Sequence, residues 1–243
     1  MRPDPKRIAM WSGPRNLSTA MMYAFAARGD CAVWDEPFYA AYLTATGLDH
    51  PMRALILAAG QTDAGLVAAA CGGAAPGGQP LFYQKHMTHH MVDGIPLDFI
   101  DMCRNVFLVR HPARVIASYA VKREDPTFTD LGFPQQAALF DRVADRQGHA
   151  PLVIDSADIR TNPRESLGKL CAAVGITFTP AMLNWPAGPK PHDGAWAPHW
   201  YGAVHRSTGF DGAEGPLPAL PDAYRPLLEQ ALPIYQRLSR HKL

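Results

Sequence analysis

The stretch Lys6-Arg7-Ile8-Ala9-Met10-Trp11-Ser12-Gly13-Pro14-Arg15-Asn16-Leu17-Ser18-Thr19 decides the fold of this chain. Lys6 to Trp11, with the short apolar run Ile8-Ala9-Met10-Trp11, reads as a strand. Ser12-Gly13-Pro14 reads as a turn. Beyond it Leu17, Met21, Met22 and Phe25 recur at helical spacing, with Asn16 or Ser18 as candidate cap and the Met pair as core. Strand, tight loop and helix in that order make an anion site. Successive backbone N–H groups and the helix N-terminus face the same point, and Arg15, Ser18 and Thr19 add a charge and two hydroxyls. No GxxxxGK[ST] pattern is present, so a magnesium-dependent nucleotide hydrolase is disfavoured.

The pattern continues outward. Ala32 to Trp34 is a second strand, stopped at Pro37, which has no N–H to donate. Tyr39 to Ala70 reads as helical and Ala-rich, and Cys71 to Pro80 as a mobile loop. Leu81-Phe82-Tyr83, Asn105 to Val109 and Leu152 to Ile154 complete five strands. Helices are expected from His111-Pro112 onward, from about Pro163 to Val174 with a stop at Gly175, and from Ala223 to Ser239, where Pro233 is a candidate kink. Trp185 to Pro221, dense in Pro, Gly and Trp, reads as an ordered loop over a site. Short apolar strands alternating with helices predict an α/β fold: a mainly parallel central sheet with helices on both faces, in one domain over residues 1–243. Ligands of such sheets sit beyond the carboxyl ends of the strands, so the residues after Trp11, Trp34, Tyr83 and Val109 are the first candidates for function.

The bulk figures bound the rest. A chain of 243 residues buries about three-quarters of its unfolded surface and needs no staples. A net charge of +1 argues against nucleic acid or an anionic membrane as partner, while allowing a local basic pocket. The four cysteines, Cys31, Cys71, Cys103 and Cys171, form no CxxC pair and read as buried thiols of a cytoplasmic protein. The polar start, Met1 to Lys6, has no apolar signal core, which agrees with that compartment.

A second motif narrows the function. In Asn105-Val106-Phe107-Leu108-Val109-Arg110-His111-Pro112-Ala113-Arg114-Val115-Ile116-Ala117-Ser118-Tyr119, a strand ends at Arg110 and Ser118 stands about two turns along the next helix. Both can reach one phosphate, Arg110 through its planar fork and Ser118 through its hydroxyl. The two motifs together resemble the sulfotransferase superfamily, whose fold is P-loop-like. Pro14-Arg15-Asn16-Leu17-Ser18-Thr19 is similar to its 5′-phosphosulfate loop, commonly Pro-Lys-Ser-Gly-Thr-Thr, with Arg15 at the lysine and Leu17 at the glycine. Arg110…Ser118 is similar to its 3′-phosphate segment. Val153 to Ile159 with Asn162-Pro163 resembles its late strand, and Val204-His205-Arg206-Ser207-Thr208-Gly209 its basic loop over the nucleotide.

The resemblance implies a nucleotide donor, 3′-phosphoadenosine-5′-phosphosulfate (PAPS), and no metal. Gly13 to Thr19 would hold the 5′-phosphosulfate, Arg110 and Ser118 the 3′-phosphate, and Arg206 and Gly209 the nucleotide. The acceptor would be a hydroxyl or amine of a small molecule, bound near Ala54–Pro80 and the loop after Trp185. Its proton would pass to His86 or to Glu36, since the family uses a Lys-x-His segment in some members and a Glu-Pro pair in others, and both Lys85-His86 and Glu36-Pro37 stand here. Lys85 would stabilise charge on the transferring group. Arg15 keeps the lysine's charge but cannot give up a proton. His86, His89 and His90 lack a metal-ligand pattern, and His192, His199 and His205 with Trp196 and Trp200 read as loop packing or acceptor contacts. A small-molecule kinase and a catalytically silent nucleotide-binding homologue are the alternatives, and a homodimer is one admissible assembly.

Overall fold

The computed structural model describes residues 4–121 and 126–243. The first three residues of the Met1–Lys6 stretch thus lie outside the described residues. The opening run forms β1 (Lys6–Ser12) and α1 (Ser18–Ala26). β2 is Cys31–Asp35, β3 Leu81–Met87, β4 Cys103–Val109 and β5 Leu152–Asp155. The five strands pair in parallel in the order β2-β3-β1-β4-β5. β1 is central, and the chain crosses from one side of it to the other between β3 and β4. The loops after β1 and β4 therefore open the crevice where such sheets bind ligands.

Both faces of the sheet are covered, which explains why its strands read as continuous apolar runs. Ile8 and Met10 of β1 face one way, into a core with Met21, Met22 and Phe25. Ala9 and Trp11 face the other, toward Phe38, Phe99 and Phe107. The same alternation governs β3: Tyr83 stacks on Phe25, centroids 4.3 Å apart, while His86 stacks on Trp11 at 4.4 Å. All four cysteines are buried free thiols, and burial raises each above its usual range.

Several boundaries differ from the sequence reading. The long Tyr39–Ala70 segment is three helices, α2 (Tyr39–Thr46), α3 (Arg53–Ala59) and α4 (Ala64–Cys71). Gly47 in the left-handed region and Gly60 end the first two, and Asp63 caps the third by accepting from the N–H groups of Gly65 and Leu66. β3 runs four residues beyond Tyr83. α5 (Pro112–Ala120) starts as expected, with His111 Nδ1 accepting from Ala113 N–H. α6 (Phe133–Gln147), not anticipated, packs Leu139 and Phe140 under the sheet. α7 (Ser156–Thr161) precedes α8 (Pro163–Ala173), and Gly175 at φ 73° follows it. The Trp/Pro-rich loop contains two short helices, α9 (Ala197–Trp200) and α10 (Gly202–Arg206). α11 (Arg225–Ser239) carries Pro233 and buries Ala231 and Leu238. Among the described residues no single helix is long and apolar enough to cross a membrane.

Candidate active site

A cavity of about 270 Å³ opens beyond the carboxyl ends of the strands. Residues 14–19 line it, with Glu36, Lys85, Arg110, Ser118 and Gly209. Eleven of the predicted site residues are thus brought to one space, from four strand ends, the helix after β4 and the covering loop. Three are not. Gly13 is buried against the Leu131 carbonyl, Arg206 is exposed at the end of α10, and His86 is inside the sheet.

The loop after β1 is shaped by its backbone. Arg15 and Leu17 both have left-handed φ, 63° and 68°, with Asn16 between them. Alternation of this kind turns successive N–H groups to one side and makes an anion-binding nest. Leu17 therefore adopts the conformation that suits the glycine of the related motif. For a side chain with a Cβ this costs about 1–2 kcal/mol, which the surrounding packing must offset. Gly13 shows how tight that packing is: a Cβ there would lie 2.6 Å from the Leu131 carbonyl oxygen. Asn16 does not cap α1; its Nδ2 donates to Leu108 O at 3.2 Å, tying the loop to the end of β4. The N-cap position is Leu17, with no side-chain cap from Asn16 or Ser18, so that expectation fails.

Arg15 Nε donates to Ser118 Oγ at 2.8 Å, and Arg110 Nη1 donates to the Arg15 carbonyl at 2.7 Å. Burial, and then the charge of Arg110, lower the pKa of Arg15. Arg110 Nε is buried with no hydrogen-bond partner among the described residues. A buried, unpartnered guanidinium N–H beside a second cation and a backbone nest fits an anionic group such as a phosphate.

At the other end of the cavity stands a buried ionic group that the sequence reading only partly foresaw. Parallel pairing sets Asp35 beside Lys85 in the sheet. Lys85 Nζ donates to Asp35 at 2.9 Å, to Glu36 at 2.5 Å and to Tyr201 Oη at 2.7 Å. An ammonium has three hydrogens, and all three are committed. Tyr201 donates in turn to Asp35 Oδ2 at 2.7 Å and accepts from Trp196 Nε1 at 2.9 Å. Gly194 N–H also donates to Asp35, at 3.1 Å. Burial depresses the Lys85 ammonium, but Asp35 and Glu36 outweigh it and the pKa is raised. Burial raises Glu36, which Lys85 only partly offsets. Glu36 has φ 43°, a strained conformation for a residue with a Cβ, held by the network.

His86 has a different environment. It is 1% exposed, packed among Trp11, Phe38 and Phe99, with Nε2 3.1 Å from Gln84 Oε1. Burial pushes its pKa down to about 3. The reason is strand periodicity. Neighbours in a strand point to opposite faces, so Lys85 and His86 cannot share a wall. A Lys-x-His spacing would place the imidazole on the Lys85 side; here that position is Met87, which lines the cavity. The expectation of His86 as a group facing the acceptor is thus corrected by its placement. The loop aromatics Trp196, Trp200 and Tyr201, with Tyr39 and His50, line the Lys85 end of the cavity, whereas residues 54–80, expected to shape an acceptor pocket, do not line it. Among the described residues no three His, Cys, Asp or Glu side chains are grouped to hold a metal.

The fold agrees with comparisons to known proteins. A family model described as sulfotransferase domain matches residues 6–241. Two curated Arabidopsis thaliana proteins, branched-chain-amino-acid aminotransferase-like proteins 1 and 2, are 36% and 35% identical over 98% and 96% of this chain. The chain spans only 42% and 41% of their lengths. The solved sulfotransferase domain of the Synechococcus PCC 7002 olefin synthase covers 98% of both chains at 18% identity and a TM-score of 0.54. The sulfotransferase domain from the curacin biosynthetic pathway covers 97% of this chain and 98% of its own at 17% identity, with a TM-score of 0.53. At such identities the likeness is one of fold, and it agrees with the five-stranded parallel sheet. With nearly its whole length matched by the family model, the chain belongs to the sulfotransferase domain family.

Proposed function

We propose that the protein transfers a sulfuryl group from 3′-phosphoadenosine-5′-phosphosulfate to a hydroxyl or amine of a small, ring-bearing acceptor. The observation that carries this reading is the meeting of Arg15, Arg110 and Ser118 at one end of a cavity whose other end holds Glu36 among aromatic side chains. Arg15, Ser18, Thr19 and the left-handed loop would hold the 5′-phosphosulfate, and Arg110 with Ser118 the 3′-phosphate. Bound there, the donor supplies an activated sulfuryl group and a phosphate leaving group.

The chain's own work is then positioning and charge, as in phosphoryl transfer. Arg15 stabilises negative charge growing on the leaving side; being a guanidinium, it does so without giving up a proton. Glu36 takes the acceptor's proton. Burial raises its pKa above the ordinary carboxylate value, which makes it a stronger base than an exposed glutamate. Lys85, with all its hydrogens committed, holds Glu36 in place rather than touching the transferring group. Asp35 and Tyr201 hold Lys85. His86 has no direct part in this scheme.

Adenosine 3′,5′-bisphosphate, followed by thermal shift with EDTA present, tests the reading against ATP, ADP and AMP. A ligand that binds only the native state raises stability by about 2.7 kcal/mol at a hundredfold excess over Kd. A shift with the bisphosphate well above that with AMP, abolished in Arg110→Ala, is the expected result. A shift with ATP alone, appearing only when magnesium replaces EDTA, would transfer the assignment to a kinase.

A further inference from the structure

Glu214 lies in a segment the donor reading does not use. Its side chain is only 8% exposed, and its carboxylate is set among three guanidinium groups. Arg110 Nη2 donates to Oε1, Arg114 Nε lies 3.2 Å from Oε2, and Arg160 Nε lies 4.0 Å from Oε1. The three arginines come from three places: the end of β4, the first turn of α5 and α7. Arg110 and Arg160 both line the cavity.

The segment carrying Glu214 is held by these same arginines. Residues 210–221 form no helix or strand, and the isolated bridge of Gly209 with Asn184 lies just before them. Among the described residues, 211–220 make no backbone–backbone hydrogen bonds. Instead Arg160 Nε donates to Gly212 O at 3.2 Å, Arg114 Nη2 donates to Gly215 O, and Arg160 Nη1 lies 3.4 Å from Asp211. Gly212 and Gly215 flank Glu214 with open space where a Cβ would stand. A carboxylate on such a segment can leave without unpicking secondary structure.

We propose that Arg110, Arg114 and Arg160 form one anion subsite for the donor's 3′-phosphate, and that Glu214 is its internal occupant, displaced when the donor binds. This rests on the donor reading above and adds two arginines and a competing carboxylate to it. Charge supports the exchange. Three guanidinium groups face one buried carboxylate, with Asp211 at the exposed rim. A phosphomonoester carries about −1.5 to −2 near neutrality and three acceptor oxygens, more than one carboxylate offers. Arg110 also retains its unpartnered Nε for the larger anion. The carboxylate thus keeps the arginines paired in the free protein and sets a threshold that a group with one negative charge meets poorly.

Two measurements on the full chain test this. By calorimetric titration, Glu214→Gln should tighten adenosine 3′,5′-bisphosphate at least fivefold and change AMP, which lacks the 3′-phosphate, less than twofold. Arg160→Gln should weaken the bisphosphate about tenfold, the worth of one charge-assisted contact. In wild type, cleavage after Glu214 by a glutamate-specific protease should accelerate with saturating bisphosphate and not with AMP. Unchanged or weaker bisphosphate binding in Glu214→Gln, or a Glu214 site that stays protected at saturation, overturns the exchange. If wild type binds the bisphosphate no better than AMP and Arg110→Ala changes nothing, the donor reading itself has failed, and this inference with it.

Discussion

Arg15 and Ser118, 103 residues apart, are joined by a 2.8 Å hydrogen bond from Nε to Oγ at one end of the cavity. The loop after β1 and the helix after β4 thus share one side-chain contact, placed where the donor reading puts both phosphates. Replacing Ser118 by Ala removes a hydroxyl donor and the group that orients Arg15. Bisphosphate affinity should fall about tenfold, near 1.5 kcal/mol. In a double-mutant cycle with Arg15→Ala, titrated by calorimetry, the two losses should be less than additive.

The buried Lys85 network makes a different prediction. Lys85→Met strands Asp35 and Glu36 together out of water. Removing one partner of a buried ion pair costs about 3–5 kcal/mol. Urea unfolding at neutral pH should show that loss. Adding Asp35→Asn and Glu36→Gln to Lys85→Met should recover most of it, because no uncompensated charge is left behind. A Lys85→Met protein as stable as wild type would contradict the network's described charges.

In the proposed scheme Glu36 should set the pH dependence of turnover. Its carboxyl is raised above the ordinary value of 4.5 by burial, with Lys85 opposing. The proton-accepting form therefore grows as pH rises. With any acceptor that turns over, kcat/KM should fall on the acid side with a midpoint above that value. Glu36→Gln should lower kcat by about 10²–10⁴ and flatten this limb. A full acid limb in the variant would assign it to another group.

His86 should matter to stability instead. Its folded pKa is depressed to about 3 from 6.5, so the unfolded chain takes up the proton first. The stability that neutral His86 contributes is complete above pH about 6.5 and is lost as pH falls toward 3. One such group gives a slope of about 1.4 kcal/mol per pH unit. His90, also held well below its usual value, first by burial and then by His89 and Lys85, adds a slope of the same sign. His86→Phe should therefore remove the His86 share of this slope, about 1.4 kcal/mol per pH unit between pH 4 and 6, measured by denaturant unfolding, and leave nucleotide binding unchanged.

Gly13 tests the backbone origin of the anion site. A methyl group at 2.6 Å from the Leu131 carbonyl cannot be accommodated without moving the loop. Gly13→Ala should cost about 1–3 kcal/mol of stability, as overpacked positions do, and weaken bisphosphate binding although no ligand-contacting side chain changes. Thermal unfolding and titration together measure both effects.

Much of this molecule was legible along the chain. Apolar runs such as Ile8–Trp11 and Val106–Val109 carried the strands, because both faces of a parallel sheet are buried. The two phosphate motifs carried the crevice, because each is local. What escaped was long-range or lay within a strand. Reading β3 as ending at Tyr83 left Lys85 and His86 on a loop, where either could face the acceptor; four more ladder residues send them to opposite sides. Asp35 and Tyr201 were not legible as partners of Lys85, since one arrives through strand pairing and the other from 116 residues away. Glu214 gave no local signal, because its meaning depends on three arginines brought together by the sheet. α6 was missed although its apolar positions are helical in period.

The gathering of Arg15, Arg110, Arg114 and Arg160 around one crevice bears on how anions arrive. The whole chain carries only +1, so there is little long-range pull on a polyanion. Screening at physiological salt confines the crevice's own field to about 8 Å. A small phosphorylated ligand is therefore guided only over its last few molecular diameters, between low-dielectric walls that concentrate the field. Its association rate should respond to added salt, whereas its dissociation rate, governed by contacts already shielded from water, should respond much less.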